Sequence, residues 1–239
     1  MRHRPTDPSA AEADSTPRLL RADLHVHTDT SRDSMLSPAG LVQACLRRGL
    51  DCVAVTDHDR LAGAWAVAEL APAGLQVIVG EEVCTAQGEL LALFLREEVP
   101  AGQDALDTAR LIRAQGGLVG VSHPCDRWRR ALAREELDGL LQNGLLDFIE
   151  GRNGRVIGRE DNARAEELGR LLRLPLTAGS DAHSPGEVGV CSTLLPPFHG
   201  PADFLSVLAQ GQLLGRASPP WIHLLSMAAR FNRPADTAR

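Results

Sequence analysis

The residues of this 239-residue chain that are equipped for chemistry fall into short, well-separated clusters. These are His25-Val26-His27 followed by Asp33, then His58, Glu82, His123, and finally Asp181-Ala182-His183. Side chains at i and i+2 of a strand share a face, so the two imidazoles of His25-Val26-His27 can grip one cation. Asp181 and His183 can do the same in a tighter turn. Neutral imidazole and carboxylate together suit Zn, Mn or Fe. A carboxylate can also bridge two ions, and Glu82 is placed to do so. The chemistry such a set supports is hydrolysis by a metal-activated water.

These clusters need elements to bring them together. Short apolar runs predict strands at 21–26, 51–56, 75–80, 89–94, 117–122, 146–150 and 175–179. Between them, Ala/Leu/Arg-rich stretches predict helices at 38–48, 60–71, 104–115, 131–142, 159–172 and 201–210. Ser37 caps the first of these and Pro38 opens it. A further helix is expected at 221–231. The alternation is that of an α/β fold with a parallel sheet, and each chemical cluster falls at or just past the end of a strand. Loops beyond the carboxyl ends of parallel strands share one face, so residues far apart in sequence converge there. The expected organisation is one catalytic domain over 20–232, a leader over 1–19 rich in Pro, Ser and charge, and a frayed tail over 233–239.

Composition excludes several function classes. The net charge is −6 and every one of the 25 basic residues is Arg. Schiff-base catalysis and a lysine phosphate clamp are therefore ruled out. No broad positive field is available for long duplex nucleic acid, which is disfavoured as a partner. The five cysteines, Cys45, Cys52, Cys84, Cys125 and Cys191, form no Cys-x-x-Cys pair and fit reduced thiols in a cytoplasmic compartment. No run is long and apolar enough to span a bilayer.

The ordered set DLHVHTDTSRDS, AVTDHD, VGEEV, VSHP and GSDAH resembles the PHP family, named for polymerase and histidinol phosphatase, across about 25 to 195. The resemblance implies a distorted (β/α)7 barrel with two to three divalent metal ions and phosphoester hydrolysis. It puts His25, His27, Glu82 and Asp181 on one ion, Asp33, His58 and His183 on another, and Glu82 with His123 on a third. Members with a full trinuclear site often carry a His where this chain has Leu91, so the third ion is expected to bind weakest and to be tightened by Leu91→His; were it fully occupied, Glu89 on the same strand would be the first residue to suspect as the replacement ligand. Ser34 replaces a Gly common after the aspartate. The spacing from Glu82 to His123 is too short for the helical insertion of some nucleotide-cleaving relatives.

The substrate expected is a small phosphorylated metabolite or nucleotide, with a C–N or lactone hydrolase and an exonuclease on short oligonucleotides as the rival readings. Asp33 and His58 are the expected proton carriers. Arg152 and Arg155, at a strand end, are the expected phosphate clamp ahead of Arg127, Arg129 and Arg130. Asn153 is expected to orient substrate and Asp57 to hydrogen-bond a ligand imidazole, whereas His3, His199 and His223 are expected at the surface or in packing roles. Oligomeric state is left open.

Overall fold

The computed structural model describes residues 18–158, 160–219, 221–223 and 226. Among these residues six helices pack on a nine-stranded sheet. In chain order the elements are β1 (Leu20–Val26), α1 (Pro38–Arg48), β2 (Cys52–Val55), α2 (Ala62–Leu70), β3 (Gln76–Cys84) and β4 (Glu89–Leu93). Then come α3 (Ala105–Ala114), β5 (Leu118–Val121), α4 (Arg134–Gln142), β6 (Phe148–Asn153), α5 (Asp161–Leu172), β7 (Leu176–Gly179), β8 (Cys191–Leu195), α6 (Gly200–Leu208) and β9 (Gln212–Gly215). All six helices expected between 38 and 210 form. Of the one expected at 221–231, only 221–223 and 226 lie within the described residues, and residues 1–17 of the expected 1–19 leader and the 233–239 tail lie outside them. Arg18 is paired with Asp51 at 2.6 Å.

α1 shows how local chemistry sets the boundaries. Ser37 accepts a hydrogen bond from the Gly40 amide, Pro38 stands at the first turn, and Gly49 ends the helix in the left-handed region at φ 63°.

The strand order is β7-β6-β5-β4-β3-β2-β1-β8-β9. Two departures from the expected parallel sheet matter. β4 runs antiparallel to both β3 and β5, as the return arm of a hairpin, and β8 and β9 extend the sheet antiparallel beyond β1. β8 and β9 escape sequence reading because neither CSTLL nor QLLG shows a clear alternation.

The sheet curls into a nearly closed barrel, and the last contact comes at the carboxyl ends of β1 and β7. There the Asp181 amide donates to the His25 carbonyl at 2.7 Å and the His27 amide to the Ala182 carbonyl at 3.0 Å. Gly179 allows this approach, since a Cβ there would lie 2.4 Å from His25 Cβ and 2.7 Å from its amide nitrogen. Inside, Ala22, Leu24, Ala54, Ile78, Leu91, Leu93 and Phe148 form a dry floor closed by Phe204 and Leu208 of α6. On the outside, one cluster packs β1 and β2 under α1 and α2, and another packs β3 to β6 under α3, α4 and α5.

Candidate metal centre

The floor of the barrel gives way, at the carboxyl end, to a layer of buried imidazoles and carboxylates. A register irregularity between Asp23 and Val26 makes this possible on β1. Before it Ala22 and Leu24 pack into the inner cluster; after it His25 and His27 face the site, while Val26 packs on the outer cluster. His58 sits just past β2, bridged in parallel to Glu82. His123 follows β5 in a strained turn with φ 31°, and Asp181 follows β7 with φ 54°. The barrel closure described above brings Asp181 to the two β1 histidines.

The eight expected ligands come together. His25 Nε2 lies 3.4 Å and His27 Nε2 3.3 Å from Glu82 Oε2, and His27 Nε2 is 3.3 Å from Asp181 Oδ1. On the other side His183 Nε2 is 3.4 Å from Asp33 Oδ1, and His58 is 3.9 Å from Asp33 Oδ2 and 3.3 Å from Glu82 Oε2. His123 Nε2 is 3.0 Å from Glu82 Oε1. Glu82 therefore stands at the centre, with Oε2 toward His25, His27 and His58 and Oε1 toward His123.

Hydrogen bonding on the far side of each ring fixes what the near side presents. His25 Nδ1 donates to Glu150 Oε1 at 2.9 Å, and His183 Nδ1 donates to the Asp181 carbonyl at 2.8 Å. Ser31 Oγ donates to Asp57 Oδ1 at 2.6 Å, which leaves it to accept from His27 Nδ1 at 3.2 Å. In the neutral imidazoles the remaining nitrogens are then lone-pair donors. Yet His25 Nε2 and His27 Nε2 lie 3.0 Å apart, and His183 Nε2 points at a carboxylate. Lone pairs facing one another at such distances repel unless a cation or proton lies between them. The residues present thus fit divalent ions of the kind imidazole and carboxylate bind, with outer hydrogen bonds that fix the ring tautomers.

Protons take the role of the cation when no ion is bound. Burial pushes His27 down, but hydrogen bonds to Asp181 and Glu82 outweigh it and raise the ring to about 9. His25 moves the same way: burial opposes charging, and the Glu150 and Glu82 carboxylates overcome it. His183 falls to about 4 through burial and the nearby charge on His27. Burial also opposes ionisation of Glu82 and Asp181. For Glu82 the His25 charge wins, and for Asp181 the Arg129 guanidinium does, so both stay well below the usual carboxylate range.

Two residues outside the ligand set hold it in place. Glu150 receives His25 on one oxygen and the His123 amide and Asn153 Nδ2 on the other, at 2.7 and 3.0 Å. Asp57, expected to meet a ligand imidazole, instead accepts from the backbone and hydroxyls of Thr28 and Ser31. It acts on His27 only through Ser31.

The strand direction of β4 corrects the reading of Leu91. Because β4 runs antiparallel, its amino end lies at the catalytic face, and the register pairs Glu89 with Cys84 and Leu91 with Glu82. Leu91 is fully buried in the dry floor. Glu89, two residues nearer the opening on the same face, reaches His123 Nε2 at 3.4 Å, and Glu82, Glu89 and His123 form a group with ligand spacing. Burial and the neighbouring Glu82 charge push Glu89 up to about 7.

The arginines are also redistributed. A second register irregularity, between Glu150 and Arg152, turns Arg152 out of the barrel. Its guanidinium is held by Glu166 at 2.5 Å and by the Leu213 and Gly215 carbonyls, so it is not part of the site. Arg155 is, buried against Glu187 at 3.0 Å and Ser226 at 2.8 Å. From the cluster ranked second, Arg129 binds Asp181 Oδ2 and reaches Asn153 at 3.0 Å, and Arg130 donates to the Thr85 carbonyl. Asn153 itself donates to Asp181 at 3.0 Å, so it braces a ligand. A cavity of about 360 Å³ lies over the ligands. Trp128, Arg129, Arg130, Arg155 and His223 line it together with Asp33, Glu89 and His183. His223, expected to serve only packing or surface, lies 3.5 Å from Arg155. Nothing in its sequence surroundings signals this, since it comes from beyond the last strand.

Comparison with known proteins follows the same lines. The family model described as PHP domain matches residues 23–150, and that described as PHP-associated matches 159–213. MJ0417 of Methanocaldococcus jannaschii, an uncharacterized protein, is 35% identical over 175 residues, covering 71% of this chain and 68% of its own. A two-domain protein from Bacteroides vulgatus, described as containing a predicted PHP-like metal-dependent phosphoesterase, superposes with a TM-score of 0.72 at 21% identity, over 90% of this chain and 70% of that one. PsfC from Pseudomonas syringae superposes with a TM-score of 0.66 at 19% identity, over 90% of this chain and 98% of that one.

Proposed function

Since the chain belongs to the PHP domain family, we propose that it is a metal-dependent phosphoesterase acting on a small phosphorylated metabolite or nucleotide. The observation that carries this reading is the convergence of His25 Nε2 and His27 Nε2, 3.0 Å apart, on Glu82 and Asp181. The description of the Bacteroides vulgatus relative as a phosphoesterase supports the substrate class.

His25, His27, Glu82 and Asp181 would hold one ion, and Asp33, His58 and His183 a second. Glu82, His123 and Glu89 would hold a third. Zn, Mn or Fe would supply, when bound, a nucleophilic water at neutral pH and a counter-charge for the developing phosphorane. The protein supplies the rest. Arg155, fixed by Glu187 and Ser226, presents guanidinium N–H groups at the cavity wall to orient a phosphoryl oxygen. Asp33, 5% exposed at the cavity floor, would serve as an ion ligand and not as the proton source expected from sequence: burial opposes its ionisation, but the hydrogen bond to His183 and the neighbouring imidazoles hold it well below the usual carboxylate range. Arg129 holds Asp181 in place and lends positive charge to the wall.

The test is a screen of phosphorylated metabolites, nucleotides and nucleotide bisphosphates with Mn- or Zn-loaded protein, run beside amides, lactones and short oligonucleotides. Turnover of phosphomonoesters or diesters is expected. Turnover of amides or lactones alone would move the assignment to C–N or lactone hydrolysis on the same metals.

A further inference from the structure

Cys84 is the one thiol among the described residues that belongs to a group of ligating side chains. Its sulfur, one nitrogen of His58 and one carboxylate oxygen of Glu89 all lie within 4.8 Å of one another. The positions follow from the hairpin. Cys84 is the last residue of β3 and pairs directly with Glu89, the first of β4, so both side chains leave the same face of the sheet at its catalytic end. The Cys84 amide is pinned by Asp59 Oδ1 at 2.7 Å, which fixes where the thiol starts from.

Two further observations point to a cation there. Glu89 is 8% exposed; one carboxylate oxygen faces His123 Nε2 at 3.4 Å, and the other accepts a hydrogen bond from the Cys84 thiol at 3.7 Å. A thiol is a weak donor and does little to offset the desolvation of a buried carboxylate. His58 Nδ1 is likewise buried without a hydrogen-bond partner, facing Glu82 Oε2 at 3.3 Å.

We propose that His58, Cys84 and Glu89 form a thiolate-containing site for a thiophilic divalent cation such as Zn²⁺, Co²⁺ or Cd²⁺, at the rim of the hydrolytic centre. Small side-chain rotations bring the three atoms to Zn–S and Zn–N distances of about 2.3 and 2.0 Å. The thiol proton passes to solvent as the sulfur–metal bond forms. Sulfur makes the site selective for soft ions over Mg²⁺ or Mn²⁺. Because Glu89 and His58 also face the hydrolytic ions, filling this site draws on donors that the reaction uses. An excess of a thiophilic ion therefore inhibits. The inference rests on the reading of this layer as a metal centre, and its test separates the two.

The ion-free full chain is titrated with Co²⁺ and followed by near-ultraviolet absorbance, with bound cobalt counted by elemental analysis. A sulfur-to-cobalt charge-transfer band is expected in the wild type and in Cys125→Ser, and its loss is expected in Cys84→Ser. Cobalt bound without such a band, or a band that survives Cys84→Ser, overturns the thiolate site and leaves the hydrolytic centre standing. No bound cobalt at all overturns both. Should Cys84→Ser not fold, alkylation of the wild type decides: Zn²⁺ is expected to protect Cys84 and not Cys125. Equal labelling of Cys84 with and without Zn²⁺ overturns the proposal.

Discussion

His27 shows how much of this site is decided atom by atom. Its outer nitrogen is committed to Ser31, itself committed to Asp57, so its inner nitrogen is left for a cation. In the absence of ions that nitrogen holds a proton up to about pH 9. An ion must displace this proton, so metal affinity is expected to rise with pH across the range below about 9 and to fall on acidification. Titrating metal into weakly buffered protein near neutrality should release protons, which a pH electrode or a buffer-ionisation series in calorimetry measures. His25→Ala or Asp181→Ala should lower both metal content and activity about tenfold or more, since each removes a ligand. Metal-free protein that remains active would refute the hydrolytic mechanism. The two arginines at the end of β6 should behave differently. Arg155→Ala is expected to raise KM for a phosphoester with metal content unchanged, whereas Arg152→Ala, whose partner is Glu166, should leave KM as it is.

Among the elements, β4 and the β1–β7 closure matter most. Reversing β4 brings the amino end of the strand to the opening, and that single fact exchanges Leu91 for Glu89 as the residue beside His123. Glu89→Gln should therefore weaken the third ion, which is then lost first on dialysis while the other two persist, as elemental analysis would show. Leu91→His would bury an imidazole among Leu24, Ile78 and Phe148, directly across the strand pair from Glu82, and is expected to lower the stability of the ion-free protein. At the closure, Gly179→Ala places a methyl 2.4 Å from His25 Cβ. A cost of about 1–3 kcal/mol is expected from overpacking, along with weaker metal binding, because the same contact sets His25 against Asp181. Thermal melting and metal analysis of one variant would read both effects.

At the scale of the whole molecule, the metal layer ties together ends of β1, β2, β3, β5 and β7 that are otherwise joined only through the sheet and the dry floor. Four buried carboxylates, Asp33, Glu82, Glu89 and Asp181, crowd into it beside the Arg129 guanidinium. Bound cations neutralise that charge and favour the folded state alone. Stabilisation of about 2.7 kcal/mol is expected at free metal one hundred times the dissociation constant, appearing as a melting temperature that rises with metal and falls with chelator. A melting temperature indifferent to chelator would argue against ions spanning the barrel. None of the described helices is long and apolar enough to cross a membrane.

Much of this was legible in the chain itself. Histidines and acids placed just past short apolar runs single out the candidate ligands, because in a strand-and-helix alternation the carboxyl ends of parallel strands share a face. The same alternation predicts all six helices and seven of the nine strands found among the described residues. Local sequence does not carry strand direction or the two register irregularities, which depend on hydrogen bonds between segments distant in the chain. Those features decided the remainder. The irregularity on β1 turned His25 and His27 into the barrel, that on β6 turned Arg152 out of it, and the reversed β4 put Glu89, opposite Cys84 of β3, in the place expected of Leu91. Side-chain periodicity on a strand has a period of two, so a one-residue slip reverses which face every later residue meets. Residue types can be read from a sequence; which side of the sheet they reach is set by pairing, and pairing exists only in the folded chain.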